Sequence, residues 1–299
     1  MRITGRLAAS TAAAGLVALM ILAAGPAARA AGLKSAGSAR AARPVGVRAP
    51  WAELADETTG RDLWSTSSVT ERPMGSITKV MTAYVVIEAG HLNQLITVPS
   101  GIVDYDDAYD ASTAGLIPGE KLTVLQLLYA LLLPSGCDAA YTLATAYGHG
   151  HPAAFIAQMN ATARRLRLSK THFSDFSGLP DPTEYSTYST ARDLVSLGRD
   201  AMRLPLFRKI VATRTYQLGA TESHPAYFWK STNPLLGQFA GATGIKTGFT
   251  TAAGDCLLFA AERAGRELIG VVLDSSSSPV GLGAAASDAA TMLDWGFGR

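Results

Sequence analysis

The sequence predicts an α+β fold in which strands from both ends of the chain meet in one antiparallel sheet and the middle forms a helical lobe. Three observations predict it. Two short extended segments open the folded part, and helical apolar spacing fills the middle. Three segments rich in Ile, Val, Leu and Phe close the chain, joined by short glycine-containing turns that favour antiparallel neighbours.

The chain begins differently. Arg2 and Arg6 precede an uncharged, Ala-rich apolar run over 7–24, and Ala28-Arg29-Ala30 fits a small-x-small cleavage site. This is the layout of a secretory signal peptide over 1–30. Ser10, Thr11 and Gly15 interrupt the apolar run, which favours cleavage near Ala30 over a retained membrane anchor, the alternative reading. Residues 31–48 are rich in Ala, Gly, Ser, Arg and Pro without apolar period, and read as a flexible lead-in. Residues 49–299 show no second linker and no repeat, so one domain is expected.

Within that domain, 51–56 and 62–65 read as strands joined by a turn at Thr58-Thr59-Gly60. Pro73-Met74-Gly75 breaks the pattern. A helix follows from Ser76, with Ile77, Val80, Met81, Tyr84 and Ile87 on one side. Further helices are predicted over 122–133, 138–147 and 153–166. Strands are predicted over 244–250, 255–262 and 267–274, and a closing helix over 284–295.

Composition narrows the function. The chain has 299 residues, of which 48% are hydrophobic and 17% charged, so it can bury a large core and is not a disordered chain. Loss of the leader would remove Arg2, Arg6 and Arg29 and take the formal charge from +2 to −1. No basic run argues for nucleic acid. Cys137 and Cys256 are too few for a disulfide scaffold, although one bridge is open to them. The five histidines lack ligand spacing, so neither a metal nor another cofactor is expected. His149-Gly150-His151 reads as a solvated loop, and Cys256 as a residue packed in the sheet.

Ser76-Ile77-Thr78-Lys79 places a hydroxyl and an amine three residues apart on one helix face. A serine hydroxyl becomes a nucleophile when a base takes its proton, and a neutral lysine can do so. The tetrad alone is weak, since chance supplies about one in a protein of this size. Lys246-Thr247-Gly248 stands on the first of the late strands. There a glycine admits close backbone approach, and Lys with Thr can hold a carboxylate, but an exposed edge-strand lysine would look the same. Ser135, in Leu133-Pro134-Ser135-Gly136-Cys137-Asp138, could equally be a helix cap.

The order of the three elements resembles that of penicillin-interacting serine enzymes. Gly75-Ser76-Ile77-Thr78-Lys79-Val80-Met81-Thr82, Pro118-Gly119-Glu120 and Ser135-Gly136-Cys137-Asp138-Ala139-Ala140 are similar to D-alanyl-D-alanine carboxypeptidases of the low-molecular-mass penicillin-binding class. So are Met159-Asn160, Thr171-His172-Phe173, Tyr188-Ser189-Thr190-Ala191-Arg192-Asp193 and Lys246-Thr247-Gly248-Phe249-Thr250. The likeness runs from about Trp51 to Phe297. It implies a β-lactamase/transpeptidase-like fold: a five-stranded antiparallel sheet flanked by helices, plus a helical lobe.

The resemblance also implies roles. Ser76 would attack the carbonyl between the two D-alanines, and Lys79 would take its proton, its neutral form favoured by the nearby Lys246. Ser135 would relay a proton to the leaving D-alanine. Lys246 and Thr247 would hold the terminal carboxylate, with Cys137, Gly248 and Phe249 completing the substrate site. The backbone N–H groups of Ser76 and Phe249 would form an oxyanion hole. Stem peptides of peptidoglycan ending in D-Ala-D-Ala are the expected partners and β-lactams the expected covalent inhibitors. A secreted or extracytoplasmic monomer, associated with the cell wall or the outer surface of the membrane, is expected.

The family usually carries Asn where Cys137 stands, and a thiol is a weak donor and a weak acceptor. Cys137 is then either a cleft thiol open to reagents or a small buried space-filler. Three functions stay open: carboxypeptidase, which is preferred, transpeptidase through the same acyl-enzyme, and a non-catalytic wall-binding relative. A class A β-lactamase is disfavoured, because no Glu-x-x-Leu-Asn element follows Ser135 to supply its deacylating base. Many relatives add a C-terminal β domain and a membrane-lying tail, and neither is expected after residue 299.

Overall fold

The computed structural model describes residues 43–277 and 283–299. The leader over 1–30 and most of the lead-in lie outside the described residues.

Five strands build the main sheet. They are β1 (Trp51–Asp56), β2 (Asp62–Thr66), β7 (Ala242–Gly248), β8 (Cys256–Arg263) and β9 (Arg266–Leu273), in the order β2-β1-β9-β8-β7 and antiparallel throughout. Both ends of the chain thus meet in one sheet, because β9 returns to pair with β1. The late strands read as near-continuous apolar runs because both faces are covered. Leu257, Phe259 and Ala261 point with Ala52, Leu54, Leu268 and Val272 toward helix α8 (Gly283–Phe297), where Ala285, Ala289, Met292 and Leu293 meet them. The intervening Cys256, Leu258 and Ala260 point into the larger core beneath the helical lobe.

The lobe comprises α1 (Lys79–Ala89), α2 (Gly101–Tyr109), α3 (Val124–Leu132), α4 (Cys137–Tyr147), α5 (Pro152–Arg165), α6 (Ala191–Met202) and α7 (Pro205–Val211). Two hairpins accompany it: β3 (Leu95–Thr97) with β4 (Lys121–Thr123), and β5 (Thr215–Leu218) with β6 (Tyr227–Lys230). No helix among the described residues is long and apolar enough to cross a membrane.

Most predicted bounds shift by one or two residues, the strand expected over 244–250 becoming Ala242–Gly248, and two shifts at helix starts bear on the site. The helix expected over 122–133 begins at Val124, because Thr123 is its N-cap. The Thr123 hydroxyl accepts the Gln126 N–H while the Gln126 side chain accepts the Thr123 N–H, a capping box that leaves 121–123 extended. The helix expected from Ser76 begins as a 3-10 turn over Gly75–Thr78 and becomes α-helical at Lys79.

Candidate active site

Ser76 and Lys79 owe their contact to that 3-10 turn. Side chains three apart eclipse one another in 3-10 geometry, and Lys79 Nζ donates to Ser76 Oγ at 2.9 Å. The turn is held by backbone contact with the end of β7. A Cβ on Gly75, whose φ is +53°, would stand 2.7 Å from the Phe249 nitrogen, and one on Gly248 would collide with the Met74 carbonyl. Only glycine on both sides allows this approach.

Lys79 is fully buried and uses three N–H donors. Besides Ser76 Oγ they reach Cys137 Sγ at 3.2 Å and the Ser177 carbonyl at 3.1 Å. Cys137 is thus a buried neighbour of the lysine, 1% exposed, not a thiol open to the cleft. Cys137 and Cys256 are both free, which answers the open question of a bridge. Cys256 packs beneath the sheet as expected, where burial pushes its thiol up to about 12.

Ser135 adopts a left-handed conformation, φ +69°, in the turn between α3 and α4. The turn is pinned from outside: Ser112 Oγ donates to the Ser135 carbonyl at 2.8 Å, and Cys137 N donates to the Ser112 carbonyl at 2.8 Å. Asp138, buried at the start of α4, accepts N–H bonds from Ala114 and Leu116 and so ties the 112–116 segment over the site. Ser76, Ser135, Thr247 and Phe249 line one cavity of about 530 Å³, open between the β7 edge and the lobe.

Lys246 lies on an edge strand yet is buried, so the exposed-lysine reading fails. Its Nζ donates to the Thr247 carbonyl at 3.1 Å and sits 3.4 Å from Thr247 Oγ. Burial first, and the charge of Lys79 second, push the Lys246 ammonium well below the usual lysine range, with Cys137 acting the other way. The Thr247 hydroxyl also bonds the Thr232 hydroxyl at 2.7 Å.

Sequence reasoning missed part of this. Asp175 is buried, and its Oδ1 accepts the N–H groups of Ser177, Gly178 and Leu179 together with the Ser177 hydroxyl. Its Oδ2 accepts the Tyr105 hydroxyl at 2.6 Å. This clamp shapes the loop whose Ser177 carbonyl meets Lys79. The Asp-x-x-Gly spacing at 175–178 was the available signal, a turn in which the aspartate bonds its own backbone ahead. Deeper down, Asp106 Oδ1 is buried without a hydrogen-bond partner. Desolvation, then Asp138, push this carboxyl up to about 7, against the pull of Lys79. Thr232 had no signal of its own.

The arrangement offers a hydroxyl beside a buried amine, a second hydroxyl lining the same cavity, and a threonine at that cavity backed by a buried lysine. That set suits attack on a carbonyl and proton transfer to a departing group.

Comparison with known proteins agrees. Residues 38–277 match the family model described as D-alanyl-D-alanine carboxypeptidase. A D-alanyl-D-alanine carboxypeptidase of Streptomyces sp. strain K15 is 42% identical over 252 residues, covering 80% of this chain and 84% of the relative. D-alanyl-D-alanine carboxypeptidase DacB2 of Mycobacterium tuberculosis is 35% identical over 259 residues, 85% of this chain and 84% of that protein. Among solved structures, the Streptomyces K15 DD-transpeptidase is 39% identical with a TM-score of 0.80, covering 86% of this chain and all of that one.

Proposed function

The chain belongs to the D-alanyl-D-alanine carboxypeptidase family, and on that premise we propose that it is a serine enzyme acting on D-Ala-D-Ala ends of peptidoglycan stem peptides through an acyl-enzyme on Ser76. The observation that carries this reading is the 2.9 Å contact between Ser76 Oγ, which lines the 530 Å³ cavity, and the Lys79 amine buried behind it.

Lys79, in its neutral form, takes the Ser76 proton through that contact while its other two N–H groups stay bonded to Cys137 and Ser177. Ser76 Oγ bonds to the carbonyl carbon of the penultimate D-alanine. The N–H groups of Ser76 and Phe249 receive the oxyanion, each worth about 3 kcal/mol in such sites. The C–N bond then breaks, and Ser135 passes a proton to the departing amine. Lys246 and Thr247, the latter braced by Thr232, hold the terminal carboxylate. An arriving carboxylate favours the protonated form of Lys246, which burial otherwise disfavours. Gly248 and Phe249 border the extended peptide, and Cys137 supports it only through Lys79.

Water attacking the acyl-enzyme completes a carboxypeptidase cycle, and an amine completes a transpeptidase cycle. The family favours hydrolysis. Two observations keep transfer in view: the likeness to a DD-transpeptidase and the cysteine at 137. β-Lactams acylate the same serine. The chain works outside the cytoplasm at the cell wall, released as a monomeric domain over 49–299 after cleavage of its leader near Ala30. The test is release of D-alanine from an N-acylated D-alanyl-D-alanine tripeptide, with and without added amine. Release by the wild type and none by Ser76→Ala supports the reading; equal release by both removes it.

A further inference from the structure

A second cavity, of about 290 Å³, adjoins the catalytic one, and Thr232 belongs to the walls of both. The two walls differ in charge. The larger carries the acids Asp110 and Glu184, the smaller the bases Arg214 and Lys230. Neither base forms an ion pair among the described residues.

The fold sets the backbone that carries these two exposed side chains. Thr215 pairs with Lys230 at the open end of the β5–β6 hairpin, and the next hydrogen bond, Ser231 N–H to the Arg214 carbonyl at 2.8 Å, sets Arg214 opposite Ser231. Tyr216 stacks on Tyr129 of α3 at 4.0 Å, and Trp229 donates to the Ala114 carbonyl, so the hairpin is fixed to the lobe. The Arg214 guanidinium lies against Gly237, where an added Cβ would stand 2.6 Å from its carbon. Thr232 N–H donates to the Leu133 carbonyl at 3.0 Å, which joins this end of the hairpin to the Ser135 turn.

We propose that the Arg214–Lys230 cavity is an acceptor subsite that takes the carboxylate of an incoming amine. The inference rests on the acyl-enzyme reading above. In that reading the donor peptide ends at Thr247 and Thr232, where its terminal carboxylate sits. Nothing of the donor extends beyond Thr232. An acceptor amine occupies the place vacated by the leaving D-alanine amine, because amine attack on the acyl-enzyme is the reverse of amine departure and forms a tetrahedral intermediate of the same geometry. An acceptor longer than one residue therefore continues past Thr232 into the smaller cavity. There Arg214, on the hairpin face that also carries Tyr216, can bind its carboxylate with two parallel N–H bonds, while Lys230 adds positive charge from the hairpin's other face. The step balances: the amine nitrogen bonds to the acyl carbon, the ester bond to Ser76 Oγ breaks, and the amine proton returns to that oxygen by way of Lys79.

The test compares two acceptors of equal size, glycylglycine and glycylglycinamide, on the acyl-enzyme formed from one D-alanyl-D-alanine donor. The ratio of the two transfer products is taken within one preparation, so any loss of acylation or folding cancels. The wild type is expected to favour glycylglycine by roughly tenfold at low salt, with the preference shrinking as salt rises. The Arg214→Ala/Lys230→Ala double variant should bring the ratio close to one, and Arg214→Glu should invert it. A wild type indifferent to the carboxylate, a preference untouched by these substitutions, or hydrolysis without any transfer overturns the subsite. Absence of acylation by benzylpenicillin as well as of D-alanine release overturns the acyl-enzyme reading itself, and the two failures are told apart.

Discussion

Lys79 has three N–H groups and three acceptors, Ser76, Cys137 and Ser177, and that match explains why a lysine can sit fully buried in front of a serine. Loss of one proton leaves a lone pair aimed at the Ser76 hydroxyl and disturbs neither other bond. The Ser177 carbonyl holds its place because Asp175 gathers four donors from the same loop on one oxygen. Asp175→Ala is therefore expected to slow acylation by benzylpenicillin about 10- to 100-fold and to lower stability by about 2–4 kcal/mol. Asp175→Asn, which keeps an acceptor oxygen, should recover much of the rate. A rate that falls only in proportion to the unfolded fraction would mean that Asp175 supports the fold without positioning Lys79. Cys137, though buried, touches the same amine. Iodoacetamide should modify it in the native protein at least 100-fold more slowly than in denaturant, as followed by mass. Equal rates would contradict its place under the cleft.

At the scale of elements, the contact between the 3-10 turn and the end of β7 sets whether Ser76 and Phe249 can share the oxyanion of the proposed reaction. Gly248→Ala puts a methyl group into the Met74 carbonyl, so it should cost 100-fold or more in acylation while leaving far-ultraviolet circular dichroism intact. Wild-type acylation in this variant would show that the close approach is dispensable. Elsewhere, Glu57 at the end of β1 joins Arg208 of α7, which also binds Glu267 of β9. Desolvation of the buried Glu57 outweighs the pull of Arg208, and with Glu267 nearby the carboxyl is pushed up to about 7. The folded state then binds the proton more tightly than the unfolded chain. The stability this contributes is complete below about pH 4.5 and declines as pH rises to about 7, by on the order of 1–3 kcal/mol. Glu57→Gln should flatten this part of the melting-temperature profile, and an unchanged slope would assign it to other groups.

Across the whole molecule, the elements legible in the sequence were those with a strong period or an unambiguous run. Leu257 to Ala261 announced a strand buried on both faces, and the pairing of β9 with β1 follows from strands at both chain ends. The hairpins β3–β4 and β5–β6 and helices α2, α6 and α7 went unread. All but α6 are short or partly exposed, and the β5–β6 hairpin gains order from tertiary contacts such as the Tyr129–Tyr216–Trp229 stack; α6 does carry a readable period in Leu194, Val195, Leu197, Ala201 and Met202 after its Thr190 cap. The same holds for the site. Ser76, Lys79, Ser135 and Lys246 stood out in short motifs, and the structure brings them to one cleft. Asp175 and Thr232 join it, and Arg214 and Lys230 line the adjoining cavity, only through folding, from loops and a hairpin far along the chain.

The most direct measurement is the intact mass of the protein after incubation with benzylpenicillin, followed by peptide mapping. One adduct per chain is expected, carried by Ser76 and absent from Ser76→Ala. No adduct, or an adduct on Cys137 instead, would contradict it.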